Sequence, residues 1–516
     1  MTLANGLVGV LLMASAICLL RWRARLVCRV DPEKSPEQGD TADTRLGRVL
    51  DDWNDQHGEQ SDSLCFPLGD ARESFLSRIE LARLADRTID AQYYVFHDDE
   101  SGRGLLAMLI AAAERGVRVR LLLDDIDLKE RDALLSRLAG EIDNLEIRIF
   151  NPLYLRFARP LDFILRFPRS SRRMHNKSFT VDAAACVVGG RNIGDEYFGV
   201  DARVSFSDYD MLAAGKVASD VVRQFDAYWC GGLSLDCAAV AAPAPMELYQ
   251  QWLLQVKEAG QRFVSESDEA DELPPQQLIR RSLDVCSCDA EVLCDPPEKV
   301  LSRLFDTDGS LTPEIMTLMR SARRTLLISS PYLIPGSWGM DLFRELRQRG
   351  VEVTVLTNSF AANDVLAVHA GYIDYRRQMV ELGIRLYEFM PDVDPGQRHL
   401  KLLGSKRSSL HAKTFLIDRE RLFVGSFNLD PRSAIHNTEM GIVFENATLA
   451  ARLHGSLTDR LEEIAYHLKL DAQDRLLWED RSDQNDAEVH HLEPNTTHWQ
   501  RMGVYLMSWL PVEWLL

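Results

Sequence analysis

Along this chain, apolar positions alternate between two spacings. "ESFLSRIELARLA" repeats its apolar residues with the 3.6-residue period of a helix, and "TIDAQYYVF" (residues 88–96) reads as a strand. "GLLAMLIAAAERG" predicts a helix closed by Gly116, and "VRVRLLLD" predicts the next strand. The order then recurs: "PEIMTLMRSARR" (helix), "TLLISSPYLI" (strand, residues 325–334), "MDLFRELRQRG" (helix closed by Gly350) and "VEVTVLTN" (strand). The R-G-V triplets lie 234 residues apart and the strand starts at Thr88 and Thr325 lie 237 apart. The pattern predicts an α/β protein made of two copies of one unit, at residues 65–235 and 301–470. Residues 236–300 join them, and the acidic run "SESDEADELPP" within this stretch reads as a solvated linker. Residues 471–516 form an extension with an apolar, Trp-rich tail.

The amino terminus breaks this pattern. Residues 3–20 carry no charge and are followed by Arg21, Arg23 and Arg25. Their length just spans a bilayer, and the basic residues follow the apolar run rather than precede it, so residues 1–25 read as an uncleaved anchor. The arginines place the body on the cytoplasmic side of a bacterial inner membrane. Residues 26–64 read as a polar linker.

Composition narrows the possibilities. Of 516 residues, 46% are apolar, which suits a packed core. A formal charge of −19 disfavours a whole-protein grip on nucleic acid, so any anion site must be local. Nine cysteines make no disulfide scaffold, and Cys286, Cys288 and Cys294 have no His at zinc-like spacing, so they read as reduced thiols and no metal is expected.

The candidate chemistry lies in "RMHNKSFTVD". It sets His175, Lys177 and Asp182 in the order H-x-K-x-x-x-x-D, and "SLHAKTFLID" repeats it with His411, Lys413 and Asp418, 236 residues later. "GGRN" follows the first motif with Gly189, Gly190 and Asn192. "GSFN" follows the second with Gly425, Ser426 and Asn428, at the same offset. One such motif arises by chance in roughly a few per cent of chains this long; two in register with a structural repeat do not. Two units folded face to face would bring two His, two Lys and two Asn around one phosphoryl group and spread its charge without a metal or other cofactor. One neutral imidazole attacks phosphorus and the other, protonated, donates to the leaving oxygen. Asp210 and Glu439, at comparable places after the two Asn residues, are the expected orienting carboxylates. Asp182 and Asp418 are expected to brace the fold through backbone contacts. The residues alone do not say which His attacks.

These motifs resemble those of the phospholipase D superfamily. "IDAQYYVFHDDESGR", "TNSFAANDVLAVHAGY", "GSFNLDPRS", "NTEMG" and the terminal "LPVEWLL" make the chain most similar to its bacterial cardiolipin synthases, among these the synthase C type. The resemblance implies two tandem α/β units, each a mixed sheet flanked by helices, packed face to face with pseudo-two-fold symmetry around one shared active site. It implies transfer of a phosphatidyl group from phosphatidylethanolamine or phosphatidylglycerol to phosphatidylglycerol through a phosphohistidine. The first His of the pair would then be the nucleophile, and Ser426 a supporting residue. The apolar amino terminus departs from these relatives.

A lipid substrate requires access to a bilayer. "LYLRFARPLDFILRFPRSSRR" interleaves Arg166, Arg169, Arg172 and Arg173 with Phe163, Ile164 and Phe167, and reads as an interfacial segment with arginines on phosphates. "RHLKLLGSKRSS" adds a basic rim before the second motif. The rival readings are a hydrolytic phospholipase D, a phosphodiesterase acting on nucleic acid, and a non-enzymatic membrane scaffold. The acidic balance opposes the nuclease, and the paired motifs oppose the scaffold. No nucleic-acid partner is expected; phospholipids and a membrane are.

Overall fold

The computed structural model describes residues 43–57, 61–129, 131–201, 204–270, 273–280, 285–302, 309–363, 365–391, 407–482 and 487–509. The expected anchor at residues 1–25, the basic rim at 398–406 and the terminal "LPVEWLL" lie outside these residues. Among the described residues no helix is long and apolar enough to cross a membrane.

Each half is built on three parallel strands. In the first they are β2 (Thr88–Tyr93), β3 (Arg118–Asp124) and β4 (Leu145–Phe150). In the second they are β11 (Thr325–Ser329), β12 (Glu352–Asn358) and β13 (Arg385–Phe389). Parallel neighbours need helical crossovers. Glu100–Glu114 and Gly336–Gln348 supply equivalent ones, each followed by a glycine in the left-handed region, Gly116 (φ 95°) and Gly350 (φ 80°). An antiparallel hairpin then covers the other edge of each parallel set. It is β5 (Ser178–Val181) with β6 (Ala185–Gly189) in the first half, and β15 (Thr414–Ile417) with β16 (Arg421–Gly425) in the second. β8 (Asp210–Gly215) and β17 (Met440–Glu445) extend these hairpins.

The join differs from a solvated linker. Residues 286–294 form a strand, β10, whose first three residues pair with β1 (Ser63–Leu68) of the first half and whose last six pair with β17 of the second. Two mixed sheets thereby become one hydrogen-bonded surface. β1 pairs with β8 as β10 pairs with β17, so β10 is the second copy of β1, preceding the boundary expected at residue 301. The expected polar linker before residue 65 likewise contains the start of β1 and the helix Arg48–His57. The acidic run also has a different fate. Its first residues complete the helix Met246–Glu269, whose buried Tyr249, Trp252, Val256 and Phe263 pack on the first core. Glu266 pairs with Arg72 there, and Asp268 lies 2.8 Å from Arg83.

Separate apolar cores fill the two halves, and a third, containing Val188, Met211, Val424 and Ile442, lies between the sheets. Beyond residue 470, β18 (Ala465–Leu470) continues into β19 (Leu476–Asp480) and β20 (Glu488–His490). The closing helix, His498–Ser508, seats Val504 against Phe360 and Ala370.

Candidate active site

The strand geometry explains the motif spacing. β5 runs antiparallel to β2, with Val181 opposite Ile89, so the far end of β5 meets the start of β2. Asp182 sits in that turn, with its carboxylate accepting the N–H groups of Asp86, Arg87 and Thr88 at 2.7–2.9 Å. Asp418 does the same for Arg323, Arg324 and Thr325. Both turns hold two successive non-glycine residues at positive φ: Asp182 and Ala183 at 53° and 50°, Asp418 and Arg419 at 55° and 59°. Such backbone is costly, and the carboxylate anchors fix it. The interval from Lys to Asp is therefore one strand long, and the His-x-Lys pair stands at the opposite end, at the mouth between the halves.

The two halves exchange backbone there. The His175 N–H donates to the Thr438 carbonyl at 2.8 Å, and the His411 N–H donates to the Ser207 carbonyl at 2.7 Å. The residue after each carbonyl is a carboxylate. Glu439 therefore meets His175 Nδ1 at 2.8 Å, and Asp208 meets His411 Nδ1 at 2.5 Å. The second crossing is a parallel ribbon, β7 (Val204–Ser207) with β14 (Arg407–Leu410). Each histidine is thus oriented by a carboxylate of the other half, and with Nδ1 engaged, Nε2 is left for a substrate.

Asp210, expected to orient a histidine, does not. It is fully buried against Arg78 (2.9 Å), Arg191 (3.3 Å) and the Ser74 hydroxyl (2.7 Å). Strand register gives the reason. Gly189 faces Asp210 and Gly425 faces Gly441, so the counterpart of Glu439 lies two residues before Asp210, at Asp208. "SDYD" offers both acids, and only the register separates them. Gly190 has a matching role, since a Cβ there would lie 2.3 Å from the Asp208 carboxylate.

A cavity of about 380 Å³ holds the two histidines, Asn192 and Asn428. Val95, Phe206, Tyr332, Val365 and Val368 give it an apolar wall. Aromatic rings hold the imidazoles in place: Tyr94 lies 5.0 Å from His175, and Tyr197 and Phe206 lie 5.3 and 5.1 Å from His411. Lys177 and Lys413 are buried, each with its ammonium on the carbonyl of its own motif histidine. Ser426 donates to Glu439, as does Ser433 at 2.7 Å.

Electrostatics separates the two pairs. Burial pushes the His175 imidazole well below its usual range, with Lys177 and Lys413 adding to the effect. His411 is also lowered by burial and by Lys413, but Asp208 opposes the shift. Burial would raise Asp208; the His411 imidazole and Lys413 ammonium overcome it and hold this carboxyl well below the usual range. Glu439 goes the other way, raised by burial against the pull of Lys177. Burial brings Lys177 down to about 7, with Glu439 resisting.

The arginine segment is not the lipid-facing surface the sequence suggests. Arg173 is fully buried and pairs with Asp124 at 3.0 Å. Arg172, also buried, donates to the carbonyls of Val300 and Ser302. Arg169 donates to Asn151 Oδ1 at 3.0 Å, and Arg166 lies over the Tyr154 ring and 3.2 Å from Asp162. A guanidinium needs planar acceptors, and buried carboxylates and carbonyls supply them here. Among the described residues of the segment, the large exposed side chains are apolar, Leu161 and Ile164. Among the described residues, His97, Asp99 and Glu196 converge closely enough to approach a cation. They do not line the cavity, and Asp99 is already engaged by the N–H groups of Gly102 and Asp195. Among the described residues no cysteine forms a disulfide, and Cys286, Cys288 and Cys294 all lie on β10.

Comparison with known proteins agrees with this architecture. Residues 77–229 and 315–460 match the family described as cardiolipin synthase, PLD-like domain. The chain is 40% identical over 460 residues to cardiolipin synthase C of Escherichia coli (strain K12), covering 87% of this chain and 96% of that protein. It is 22% identical over 386 residues to a cardiolipin synthase of Clostridium perfringens (strain 13), covering 74% and 67%. Among solved structures, the phosphatidylserine synthase of Haemophilus influenzae Rd KW20 shares the fold, with a TM-score of 0.57 and 13% identity over 90% of this chain and 96% of that one. Two sheets joined edge to edge, paired motifs meeting in one cavity and a match running through both halves have one common reading: the chain belongs to the cardiolipin synthase family of phospholipase D-like enzymes.

Proposed function

We propose that the protein synthesises cardiolipin by moving a phosphatidyl group from a donor phospholipid to phosphatidylglycerol. The observation that carries this reading is the exchanged pair of carboxylate-held histidines beside an apolar wall. In the first half-reaction, His175 Nε2 attacks the donor phosphorus. The P–N bond forms, the P–O bond to the headgroup breaks, and His411 gives its proton to the leaving oxygen. In the second, a hydroxyl of phosphatidylglycerol attacks the phosphohistidine, its proton passes to His411 and the P–N bond breaks. Lys177, Lys413, Asn192 and Asn428 stabilise the phosphoryl charge. The electrostatics favours this assignment: the imidazole most depressed by its surroundings is the better neutral nucleophile, and the one beside an ionised carboxylate better retains a proton.

The substrate enters from a bilayer, with the body on the cytoplasmic side of the inner membrane. The closing helix supports an interfacial seat, since it leaves Trp499, Tyr505, Leu506 and Trp509 more than half exposed.

The test is incubation of purified protein with labelled phosphatidylglycerol vesicles, with and without phosphatidylethanolamine. Labelled cardiolipin is the expected product. Phosphatidic acid alone would assign the protein to lipid hydrolysis instead. Trp499→Ser with Trp509→Ser is expected to reduce vesicle flotation; unchanged flotation removes the closing helix from the membrane contact.

A further inference from the structure

The two halves line the cavity differently where a headgroup would lie. In the first half the Asn192 amide has a partner at each end: its Oδ1 accepts the Val95 N–H at 3.2 Å and its Nδ2 donates one hydrogen to the Tyr197 hydroxyl at 3.0 Å. Two residues later stands Gly194, which has no side chain to offer. In the second half the Asn428 Oδ1 is buried without a hydrogen-bond partner. Two residues later stands Asp430, only 3% exposed and lining the cavity. One of its oxygens accepts the Ser433 N–H at 2.7 Å. Arg432 lines the same edge, tethered by one amino group to the Ser171 carbonyl.

A carboxyl here is unexpected in a cavity that must receive phosphate, because a fixed negative charge would repel it. Burial, with Glu439 behind it and the Ser433 N–H opposing, moves Asp430 up to about 7. The group therefore acts through hydrogen bonds as much as through charge. An ammonium headgroup is the simplest partner for a carboxylate, yet the surroundings disfavour one. Lys177, Lys413 and Arg432 already act on this cavity as cations, and all three depress His175. A neutral group with adjacent hydroxyls fits better. Its O–H groups can donate to Asp430 and to Asn428 Oδ1, and its oxygens can accept from Arg432.

We propose that Asp430, Asn428 and Arg432 form a polyol subsite that seats the glycerol headgroup of the acceptor lipid, with Asp430 selecting a glycerol hydroxyl over a simple alcohol. This deepens the transfer reading and rests on it. Asp430 binds the hydroxyl that does not react. The neighbouring hydroxyl attacks phosphorus, its proton goes to His411, and the bond to His175 breaks.

The test is a competition among soluble acceptors with the full chain and a labelled donor phospholipid in mixed micelles. The acceptors are glycerol, 1-propanol and ethanolamine. Asp430→Ala is expected to lower kcat/KM for glycerol by about 10- to 100-fold, the loss of a hydrogen bond to a charged or half-charged group, and for 1-propanol by less than about threefold. The loss should appear mainly in the KM of the acceptor. Asp430→Leu, of similar shape but without a hydrogen-bonding group, reads the same ratio if the alanine variant does not fold. Equal losses on both alcohols, no loss, a larger loss on ethanolamine, or a wild-type protein that transfers to neither alcohol overturns the subsite. Transfer to alcohols without cardiolipin formation overturns the synthase reading instead, and leaves the glycerol-to-propanol ratio as the measure of the subsite.

Discussion

The two halves of this site share one backbone plan and differ in charge. At one crossing His411 meets Asp208, a short aspartate held ionised by its neighbours. At the other, His175 meets Glu439, a buried carboxyl whose oxygens are also bonded to Ser426 and Ser433 and whose affinity for a proton is raised. The crossings are also braced differently. At the end of β3, Asp124 accepts the Met174 N–H at 2.9 Å and pairs with Arg173; at the end of β12, the neutral Asn358 accepts the Leu410 N–H at the same distance. Gene-level symmetry thus supplies position, and local substitutions supply the difference in proton affinity that a two-step transfer needs.

The sharpest way to break this comparison is to remove each imidazole. His175→Ala is expected to lower turnover on the order of 10⁴-fold or more and to carry no labelled phosphate after exposure to donor lipid. His411→Ala should lose turnover while retaining label; label on His175→Ala alone would reverse the roles. The carboxylates come next. The attacking imidazole must be neutral, so His175, lowered by its surroundings, stays competent below pH 6.5. The donating imidazole must be protonated, so activity falls as pH rises through the His411 pKa. Asp208 holds that value up. Asp208→Asn should move the basic limb of the pH profile to lower pH and cut the neutral-pH rate by about 10²- to 10⁴-fold. Glu439→Gln should leave that limb in place; a shift there, and none in Asp208→Asn, would sink the distinction.

The bracing predicts stability differences. Arg173→Met strands a buried Asp124 and should cost about 3–5 kcal/mol in denaturant unfolding. Asn358→Ala removes neutral partners and should cost about 1–3 kcal/mol. Effects no larger than that of Asn358→Ala are expected at the turn carboxylates. Asp182→Ala should destabilise by about 1–3 kcal/mol, and Asp418→Ala by less, because Asp418 retains some exposure. Neither should move the pH profile.

Much of this architecture is legible in the sequence. The helix and strand periods and the repeat offset of 236 follow from local spacing, and with them the equivalent positions of both His-x-Lys pairs and both Asn residues in the repeat. What remained hidden depends on long-range register. Asp208 and Asp210 are equivalent as sequence, and only the pairing of β6 with β8 separates them. Leading arginines read as a lipid-facing patch because their acceptors, Asp124, Asn151 and the carbonyls of Val300 and Ser302, lie far away in the chain. β10 read as part of a linker because its three-plus-six pairing serves two partners, and no periodicity announces a strand shared between sheets.

The exchanged carboxylates also bear on synthesis. Glu439 follows His175 by 264 residues, and Asp208 precedes His411 by 203. A growing chain therefore completes its first half, histidine included, without the carboxylate that engages that imidazole. Both imidazoles become oriented only when the last pieces of the second half dock. A chain that stops short of Glu439 lacks the acceptor for His175 Nδ1, so the site is complete only at the end of folding.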